Sequence, residues 1–398
     1  MVREQLDTAE IAIEVASNDG TFPIRGFCRP EFARVLQAFG ENFEKGEEVG
    51  ASVAVTHNGQ TVVDLWGGYR DSRRTVPWER DTIVNTMSIT KAMSATCLHV
   101  LADRRLIDLD APVATYWPEF AQAGKQDLPV RYVLDHRAGL PVIDAPLPRG
   151  AIFDWEAMTS ALAAQRPLWE PGTASGYHIR TQGFLIGEIV RRVTGVTLGQ
   201  FFRREIAEPF GIDFQVGLPS EDFGRCAEFI PAVAGTILNL ASMDPESLLF
   251  RASKQLPAPL DYNTKEWRSS ELPSSNGHGN ARAIARFYTL LVQGGILDGK
   301  RLLSEASVDR ALSEQHAFTE RVMGRVYHQT LGFVLNSPPI VPMGPNDRAF
   351  GHHGVGGSLG MADREAGVAF GYAMNRMHAL LENGPRAGRL VAAVFASA

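Results

Sequence analysis

The tetrapeptide Ser88-Ile89-Thr90-Lys91 opens a helix-like run over 88–102 that contains neither Gly nor Pro. In a helix, residues three apart share one face, so the Ser88 hydroxyl and the Lys91 amine would meet in the first turn. A serine hydroxyl becomes a good nucleophile only when a neighbouring base takes its proton. Lysine is such a base when burial or a positive potential, such as that of a helix N-terminus, lowers its pKa. The spacing therefore predicts a self-contained nucleophile and base.

The Ser-x-x-Lys pattern alone does not distinguish a catalytic pair from an ordinary helix start. The chain contains 21 serines and six lysines, and the pattern occurs once in its 398 residues. Less than one occurrence is expected by chance, so the pair needs partner residues elsewhere in the chain before it indicates a function.

Length and composition indicate a globular protein with two lobes. At 398 residues the chain is longer than most single compact cores. Its contents of 44% hydrophobic and 21% charged residues are typical of soluble globular proteins. The net charge of -6 and the lack of any basic run disfavour nucleic acid as a partner. No apolar stretch reaches membrane-spanning length. We expect neither nucleic acid nor a membrane as a partner, and the oligomeric state stays open.

Cysteine usage and the first residues of the chain favour the cytoplasm. The three cysteines, Cys28, Cys97 and Cys226, are an odd, scattered set without the spacing of metal ligands. The opening residues, Met1 to Gln5, lack the apolar stretch of a signal peptide. A reducing cytoplasm is the simplest expectation.

Strand signals lie towards both ends of the chain, with helical patterns between them. Strands over 51–57 and 60–66 are joined by Asn58-Gly59, a strong hairpin signal because both turn residues need positive φ. The other predicted strands cover 330–335, 357–362 and 366–374. A helical pattern follows Arg29-Pro30, with an apolar face that runs from Phe32 to Phe43. Besides this pattern and 88–102, the predicted helices cover 155–165, 177–192, 198–208, 281–293 and 386–395.

This order of elements predicts an α+β fold. Residues 1–100 and 291–398 would form one lobe, an antiparallel sheet flanked by helices. Residues 101–290 would form an inserted, mostly helical lobe. The active site would lie in the cleft between the two lobes.

A tyrosine that follows a Gly-containing turn is a candidate partner for Ser88. Tyr177 comes after Pro171-Gly172 and before an apolar helical pattern, where its hydroxyl can point into a cleft. Beside a cationic lysine its pKa, normally about 10, would fall and let the hydroxyl relay protons. The alternative is a tyrosine that merely packs at a helix start.

Glycines and two histidines mark the stretch Gly351-His352-His353-Gly354-Val355-Gly356-Gly357-Ser358. Such glycines let backbone N–H groups approach a ligand closely, as an oxyanion hole requires. Adjacent histidines lack the i, i+4 spacing of helical zinc ligands, so we expect no metal. The stretch also fits the nucleophile elbow G-x-S-x-G around Ser358, but that motif needs a helix where a strand is predicted.

Two further loops are candidates for the wall of a cleft. The first, residues 134–140, reads Leu-Asp-His-Arg-Ala-Gly-Leu, and its Asp135 or His136 would cap a helix or line a site. The second, residues 274–280, reads Ser-Ser-Asn-Gly-His-Gly-Asn and precedes a predicted helix. We interpret the second loop as a turn with Asn280 as the N-cap.

Taken together and in this order, Ser88-x-x-Lys91, Tyr177 and His352-His353-Gly354 resemble the serine β-lactamase and penicillin-binding protein superfamily, and within it the family VIII carboxylesterases. The resemblance runs from about residue 30 to 380, and both cleft loops are similar to further motifs of the family. It implies a β-lactamase-like fold, with Ser88 as the acylated nucleophile and Lys91 and Tyr177 as the proton-transfer pair. It also implies an oxyanion hole formed by the backbone N–H groups of Ser88 and Val355. In the substrate-binding K-T-G motif, His352 would take the place of the lysine, with Gly354 beside it.

Two departures from the β-lactamase pattern bear on the substrate. The Y-x-N motif is Tyr177-His178-Ile179 here, so the amide that helps to hold a lactam side chain is missing. His352, with an ordinary pKa near 6.5, replaces a permanent cation. Both departures favour uncharged esters over penicillins.

The resemblance therefore implies a serine carboxylesterase that needs no cofactor and hydrolyses small short-chain esters through an acyl-enzyme on Ser88. Three alternatives stay open. One is β-lactamase or D-alanyl-D-alanine peptidase activity, and another is acyl transfer from the same intermediate. The third is a non-catalytic binding protein that retains the fold.

Overall fold

The computed structural model describes residues 10–232, 244–257, 260–379 and 383–398. The opening residues on which the cytoplasmic expectation partly depends lie outside these ranges. The helices are α1 (Ala33–Glu44), α2 (Ile89–Asp103), α3 (Val130–Leu134), α4 (Trp155–Ala164), α5 (Thr181–Thr194), α6 (Leu198–Phe202), α7 (Glu208–Phe210), α8 (Leu248–Arg251), α9 (Lys265–Ser269), α10 (Ala281–Val292), α11 (Glu305–Leu312) and α12 (Gly384–Phe395). The strands are β1 (Glu10–Ser17), β2 (Gly20–Cys28), β3 (Gly50–His57), β4 (Gln60–Gly68), β5 (Val84–Asn85), β6 (Phe214–Gln215), β7 (His278–Gly279), β8 (Ile296–Leu297), β9 (Lys300–Arg301), β10 (Val334–Leu335), β11 (Phe350–His353), β12 (Leu359–Asp363) and β13 (Val368–Met374).

An eight-stranded antiparallel sheet is built by both ends of the chain. Its strand order is β1-β2-β4-β3-β13-β12-β11-β10, so the N-terminal and C-terminal strands meet where β3 pairs with β13. The β3–β4 hairpin turns at Asn58 and Gly59, whose φ angles of 49° and 78° are those that the sequence requires there. The predicted α+β fold, with an antiparallel sheet flanked by helices, is confirmed.

The sequence prediction is wrong about the extent of the sheet in three places. It missed β11, which pairs with β10 and β12. It missed β1 and β2, which lie at one edge of the sheet, and only one residue of β1 is buried. It also placed a strand over 330–335, of which only Val334 and Leu335 pair. The backbone before them turns at Gly332, with φ 101°, and Phe333 N–H donates to Thr330 Oγ1 (3.2 Å).

Helices cover the two faces of the sheet because successive residues of each strand point to opposite sides. In β13, Ala369 and Ala373 pack in the cluster that contains α10, whereas Phe370 and Tyr372 pack with α1 and α12. Helix α10 approaches β13 closely at Gly371, where a Cβ atom would come within 2.2 Å of the helix backbone. The lack of a side chain at Gly371 therefore permits this packing. The predicted boundary at residue 290 assigns this sheet-packed helix to the other lobe, and the division into lobes stays a prediction.

Helix α2 is central to the fold, and every residue from Ile89 to Leu101 is buried. It packs against α5, α6, α11 and β11. A helix surrounded in this way is buried on all sides rather than along one stripe. In the described ranges, no helix is both long and apolar enough to cross a bilayer.

Candidate active site

Ser88 immediately precedes α2 and has helical backbone angles, φ -69° and ψ -6°. The residue before it, Met87, has φ 51°, a conformation that non-glycine residues rarely adopt and that often accompanies functional turns. Met87 N–H donates to Asn85 Oδ1 (3.0 Å), and Thr90 Oγ1 donates to Met87 O (2.5 Å). These bonds hold the turn that presents Ser88 to a cavity at the N-terminal end of α2.

The Lys91 amine is buried among three oxygen atoms. Its Nζ lies 3.3 Å from Ser88 Oγ, 2.9 Å from Ile179 O and 3.0 Å from Ser274 O. Burial, followed by the positive charge of Arg180, lowers the pKa of Lys91 well below its ordinary value. Since the two carbonyls can only accept, a neutral amine gives both N–H groups to them and turns its lone pair towards Ser88 Oγ. The geometry therefore favours Lys91 as the acceptor of the serine proton.

Tyr177 lies in the loop before α5 and not in a helix, so the prediction of a helix beginning at 177 is wrong by four residues. Its ring centre lies 4.7 Å from Lys91 Nζ, and its hydroxyl forms a hydrogen bond with the Ser88 side chain. Burial raises the pKa of Tyr177 above its ordinary value. The expectation that a cationic lysine would lower this pKa is wrong, because burial drives Lys91 itself towards the neutral form.

Glu320, which the sequence analysis missed, fixes the Tyr177 loop. Its buried carboxylate accepts the backbone N–H groups of Tyr177 (2.8 Å), Val322 (2.9 Å) and Met323 (2.6 Å). The bond to Tyr177 spans 143 residues of sequence. No local motif signals such a contact, because its partners are backbone groups that any residue supplies.

Two neutral histidines pack beside Tyr177 and join its loop to the 134–140 loop. His178 Nδ1 donates to Gly176 O (2.6 Å) while Nε2 accepts from Leu140 N–H (3.0 Å). His136 Nδ1 accepts from His178 N–H (3.2 Å), and its ring centre lies 4.8 Å from that of Tyr177. Burial lowers the pKa of His178 to about 3 and that of His136 well below its ordinary value. The 134–140 loop thus packs behind Tyr177, and none of its residues is among those that line the cavity.

The 274–280 loop lies along α2, and its Ser275 lines the cavity. Besides the contact of its Ser274 carbonyl with Lys91, its Gly277 N–H donates to Thr90 Oγ1 (2.8 Å). Asn280 is the N-cap of α10, as predicted, and its side chain accepts from Ala283 N–H (2.9 Å). The loop therefore caps one helix and supports the first turn of another.

His352 lies on β11, and its ring centre is 6.3 Å from that of Tyr177. Its Nδ1 donates to His353 O (2.8 Å). Burial lowers the pKa of His352 well below its ordinary value, so the ring is neutral at neutral pH. It does not supply the permanent positive charge of a K-T-G lysine.

The glycine-rich turn after β11 approaches the residues that precede Ser88. A Cβ atom at Gly354 would come within 2.3 Å of Thr86 O, so only glycine fits there. Ser358 Oγ donates to the same carbonyl (2.9 Å), and a strand follows this serine where a nucleophile elbow needs a helix. Ser358 is thus a buried structural residue of the turn.

The backbone N–H groups of Ser88 and Val355 have no acceptor within the described part of the chain. Both residues line one narrow cavity of about 60 Å³. Two free donors at one cavity are what an oxyanion hole requires. The remaining lining residues are Met87, Tyr177, Ile179, Arg180, Leu249, Tyr262, Ser275, Met323, Tyr327 and His353.

The fold and this cavity together define the class of protein. A serine at the start of a buried helix, with a buried lysine and tyrosine in contact with it, is the arrangement of β-lactamase-type serine hydrolases. Comparison with known protein families matches residues 32–393 to the Beta-lactamase family. The chain belongs to that family.

Individual relatives agree with this membership. The chain is 37% identical to "Esterase/beta-lactamase LipL" of Mycobacterium tuberculosis, over 94% of this chain and 88% of the relative. A crystal structure of a family VIII carboxylesterase superimposes with a TM-score of 0.87 at 42% identity, covering 94% of this chain and all of that chain. A penicillin-binding protein homologue from Caulobacter crescentus also gives a TM-score of 0.87, at 39% identity and the same coverage. The predicted family and β-lactamase-like fold are confirmed.

Proposed function

We propose that the protein is a serine carboxylesterase that hydrolyses small short-chain esters through an acyl-enzyme on Ser88. The supporting observation is the buried Lys91 amine, with its two carbonyl acceptors and its contact to Ser88 Oγ. The narrow cavity of about 60 Å³ favours short acyl groups. The relatives that carry the names esterase and carboxylesterase support the same reaction class.

In the acylation step, neutral Lys91 takes the Ser88 proton while Oγ attacks the ester carbonyl. The oxyanion accepts from the N–H groups of Ser88 and Val355, and one such donor is worth roughly 3–4 kcal/mol. Tyr177, neutral because burial raises its pKa, donates its proton to the leaving alkoxide. The Lys91 ammonium then returns a proton to Tyr177, so both groups are neutral again in the acyl-enzyme.

Deacylation runs through the same groups in reverse. A water molecule attacks the acyl carbonyl and gives its proton to the Tyr177–Lys91 pair. The tetrahedral intermediate collapses, the carboxylic acid leaves, and Ser88 Oγ regains a proton from the pair. The cycle consumes one water and needs no cofactor.

The test of this proposal is covalent labelling of Ser88. We expect a p-nitrophenyl phosphonate to add one adduct, which mass spectrometry and peptide mapping locate on Ser88. Ser88→Ala should abolish the adduct and reduce hydrolysis of p-nitrophenyl butyrate by a factor of at least about 10³. Ser358→Ala is the matched control and should keep the adduct. An adduct on Ser358, or full turnover by Ser88→Ala, would refute the assignment.

β-Lactam hydrolysis is the second candidate, because the name of the Mycobacterium tuberculosis relative couples esterase with beta-lactamase. Against it stand Ile179 in place of the Y-x-N amide and the neutral ring of His352. We expect kcat/KM for p-nitrophenyl butyrate to exceed that for a cephalosporin.

Acyl transfer is tested by adding a short alcohol to the assay. If the alcohol competes with water for the acyl-enzyme, a transesterified product forms.

We also infer a cytoplasmic location. Cys28, Cys97 and Cys226 are free thiols, and burial raises the pKa of each of them. Buried, protonated thiols that form no disulfide are compatible with a reducing compartment.

A further inference from the structure

Arg180 is a buried cation whose described partners include no carboxylate. It is 8% exposed and immediately precedes α5. Its Nη1 donates to Ser275 Oγ (3.1 Å), and its other described partner is the Tyr262 hydroxyl. Its Nε has no acceptor in the described part of the chain. A guanidinium carries five N–H donors, so most of its hydrogen-bonding capacity is unused.

A buried cation without an anion is costly, and Arg386 shows how this chain pairs a buried guanidinium with a carboxylate. Arg386, which is also buried, donates to the Glu48 carboxylate (2.8 Å) and to three backbone carbonyls. The longest stretch outside the described residues, 233–243, contains neither Asp nor Glu. No described carboxylate contacts Arg180, and its place in the cavity favours an anion from outside the chain as its partner.

The position of Arg180 indicates which anion this is. Arg180 lines the same narrow cavity as Ser88 and Tyr177. Its charge also lowers the pKa of Lys91, which places the guanidinium within electrostatic reach of the reacting groups. A guanidinium fork matches a carboxylate in size and geometry. An anion held here would share the cavity with an ester carbonyl at Ser88.

We propose that Arg180 forms an anion-binding subsite and that the enzyme prefers short esters carrying a carboxylate near the scissile carbonyl, such as half-esters of short dicarboxylic acids. This inference rests on the proposed carboxylesterase function and specifies its substrate. It differs from the expectation of uncharged esters, which rested on the missing Y-x-N amide and on the loss of the K-T-G lysine. In this chain the positive charge at the site is that of Arg180, which follows Tyr177 in the loop before α5.

A purely structural Arg180 is the competing interpretation, since its contacts join Ser275 to Tyr262. Loss of a structural contact would impair neutral and anionic esters alike. Loss of an anion subsite would impair the anionic ester more than the neutral one and would therefore change the ratio of their kcat/KM values. A pair of substrates that differ in charge but not in shape therefore separates the two roles.

Monoethyl succinate and ethyl 4-oxopentanoate are such a pair, because a carboxylate in the first occupies the place of an acetyl group in the second. The assay measures ethanol release by wild type, Arg180→Met, Arg180→Lys and the control Arg321→Met. Arg321 is exposed, lies over Trp169 (5.4 Å) and is not part of the cavity lining.

We expect wild type to favour the anionic ester at least about tenfold in kcat/KM, as one charged hydrogen-bonded contact allows. Arg180→Met should lose this preference and Arg180→Lys should keep part of it. Arg321→Met should behave as wild type. An unchanged ratio in Arg180→Met, or no anion preference in wild type, overturns the proposal.

Calorimetry on Ser88→Ala tests the subsite without turnover. The binding of monoethyl succinate should weaken at least about tenfold when Arg180→Met is added, and that of ethyl 4-oxopentanoate should not. Equal weakening of both ligands refutes the subsite even if the esterase proposal stands. If Ser88→Ala binds the anionic ester preferentially but the wild-type protein shows no hydrolysis and no adduct on Ser88, the esterase proposal is refuted and the subsite proposal stands. If circular dichroism shows that Arg180→Met is unfolded, Arg180→Gln takes its place with the same criteria.

Discussion

The Lys91 amine has three oxygen neighbours, and among them only the Ser88 hydroxyl can donate a hydrogen bond. This asymmetry directs the lysine lone pair at the nucleophile. Arginine stays protonated at any accessible pH, so Lys91→Arg keeps the charge and removes the base. We expect kcat/KM for p-nitrophenyl butyrate to fall by about 10²–10⁴.

The matched control for this substitution is Lys125→Arg. Lys125 is a second buried lysine, but among the described residues its Nζ donates to the carbonyl oxygens of Gln122, Ala163 and Gln165 (2.7–3.0 Å) and contacts no hydroxyl. Lys125→Arg should change stability and leave the rate of the folded enzyme close to that of wild type. Equal rate losses in the two variants would contradict a base role for Lys91.

The pH dependence follows from the lowered pKa of Lys91. Activity should persist at neutral pH and fall as pH drops through this pKa, because protonation removes the lone pair. Arg180→Met removes a positive charge, so the pKa of Lys91 should rise and the acidic limb of kcat/KM for a neutral ester should move to higher pH. The unfolded chain, with an ordinary lysine pKa near 10.4, binds more protons between the two values, so stability should increase with pH across that window. An acidic limb that does not move would contradict the coupling.

At the scale of elements, the sequence predicts mainly those features that a few neighbouring residues determine and misses those that depend on contacts between distant segments. The Asn58-Gly59 hairpin, helix α2 and the Asn280 cap were predictable because a few adjacent residues determine them. The turn at Gly332 was not predictable, because tertiary contacts decide it, and the β1–β2 hairpin was missed although a short local turn joins its strands. For the site, the ordered motifs brought Ser88, Lys91 and Tyr177 to attention, although their roles stay proposals. The roles of Glu320 and of the Arg180 guanidinium, which has no carboxylate partner among the described residues, are recognised only from contacts between distant segments.

The Tyr177 loop depends on the Glu320 carboxylate for its conformation. Glu320→Gln replaces one accepting oxygen with an NH₂ group that faces backbone N–H groups. We expect the free energy of unfolding to fall by about 1–3 kcal/mol, the cost of an unsatisfied buried donor. Displacement of Tyr177 should lower kcat more than it raises KM.

The control for this prediction is Glu314→Gln. Its carboxylate is 45% exposed and pairs with His328 on the surface, so both stability and kcat should stay close to those of wild type. Chemical denaturation and steady-state kinetics on both variants measure the two quantities. If Glu320→Gln is destabilised but its kcat is unchanged, Glu320 stabilises the fold without positioning Tyr177 for catalysis.

At the scale of the whole molecule, a buried ion pair joins the C-terminal helix α12 to the segment that precedes β3. Arg386, in the C-terminal helix α12, donates to the carboxylate of Glu48, which lies just before β3 (2.8 Å). The same guanidinium donates to Gly356 O (2.8 Å), next to Val355 in the glycine-rich turn. One buried charge thus joins the C-terminal helix, the N-terminal strands and a proposed oxyanion donor.

Removal of this charge should have separable effects on stability and catalysis. Arg386→Met leaves Glu48 buried and unpaired, which should cost about 3–5 kcal/mol in the free energy of unfolding. The double variant Glu48→Gln/Arg386→Met removes both charges and should regain part of that loss. It should not regain kcat, because Gly356 O still lacks the donor that holds the turn carrying Val355. Denaturant titrations and kinetics of the two variants provide both readouts. Recovery of kcat together with stability would show that Arg386 acts on the turn only through the fold.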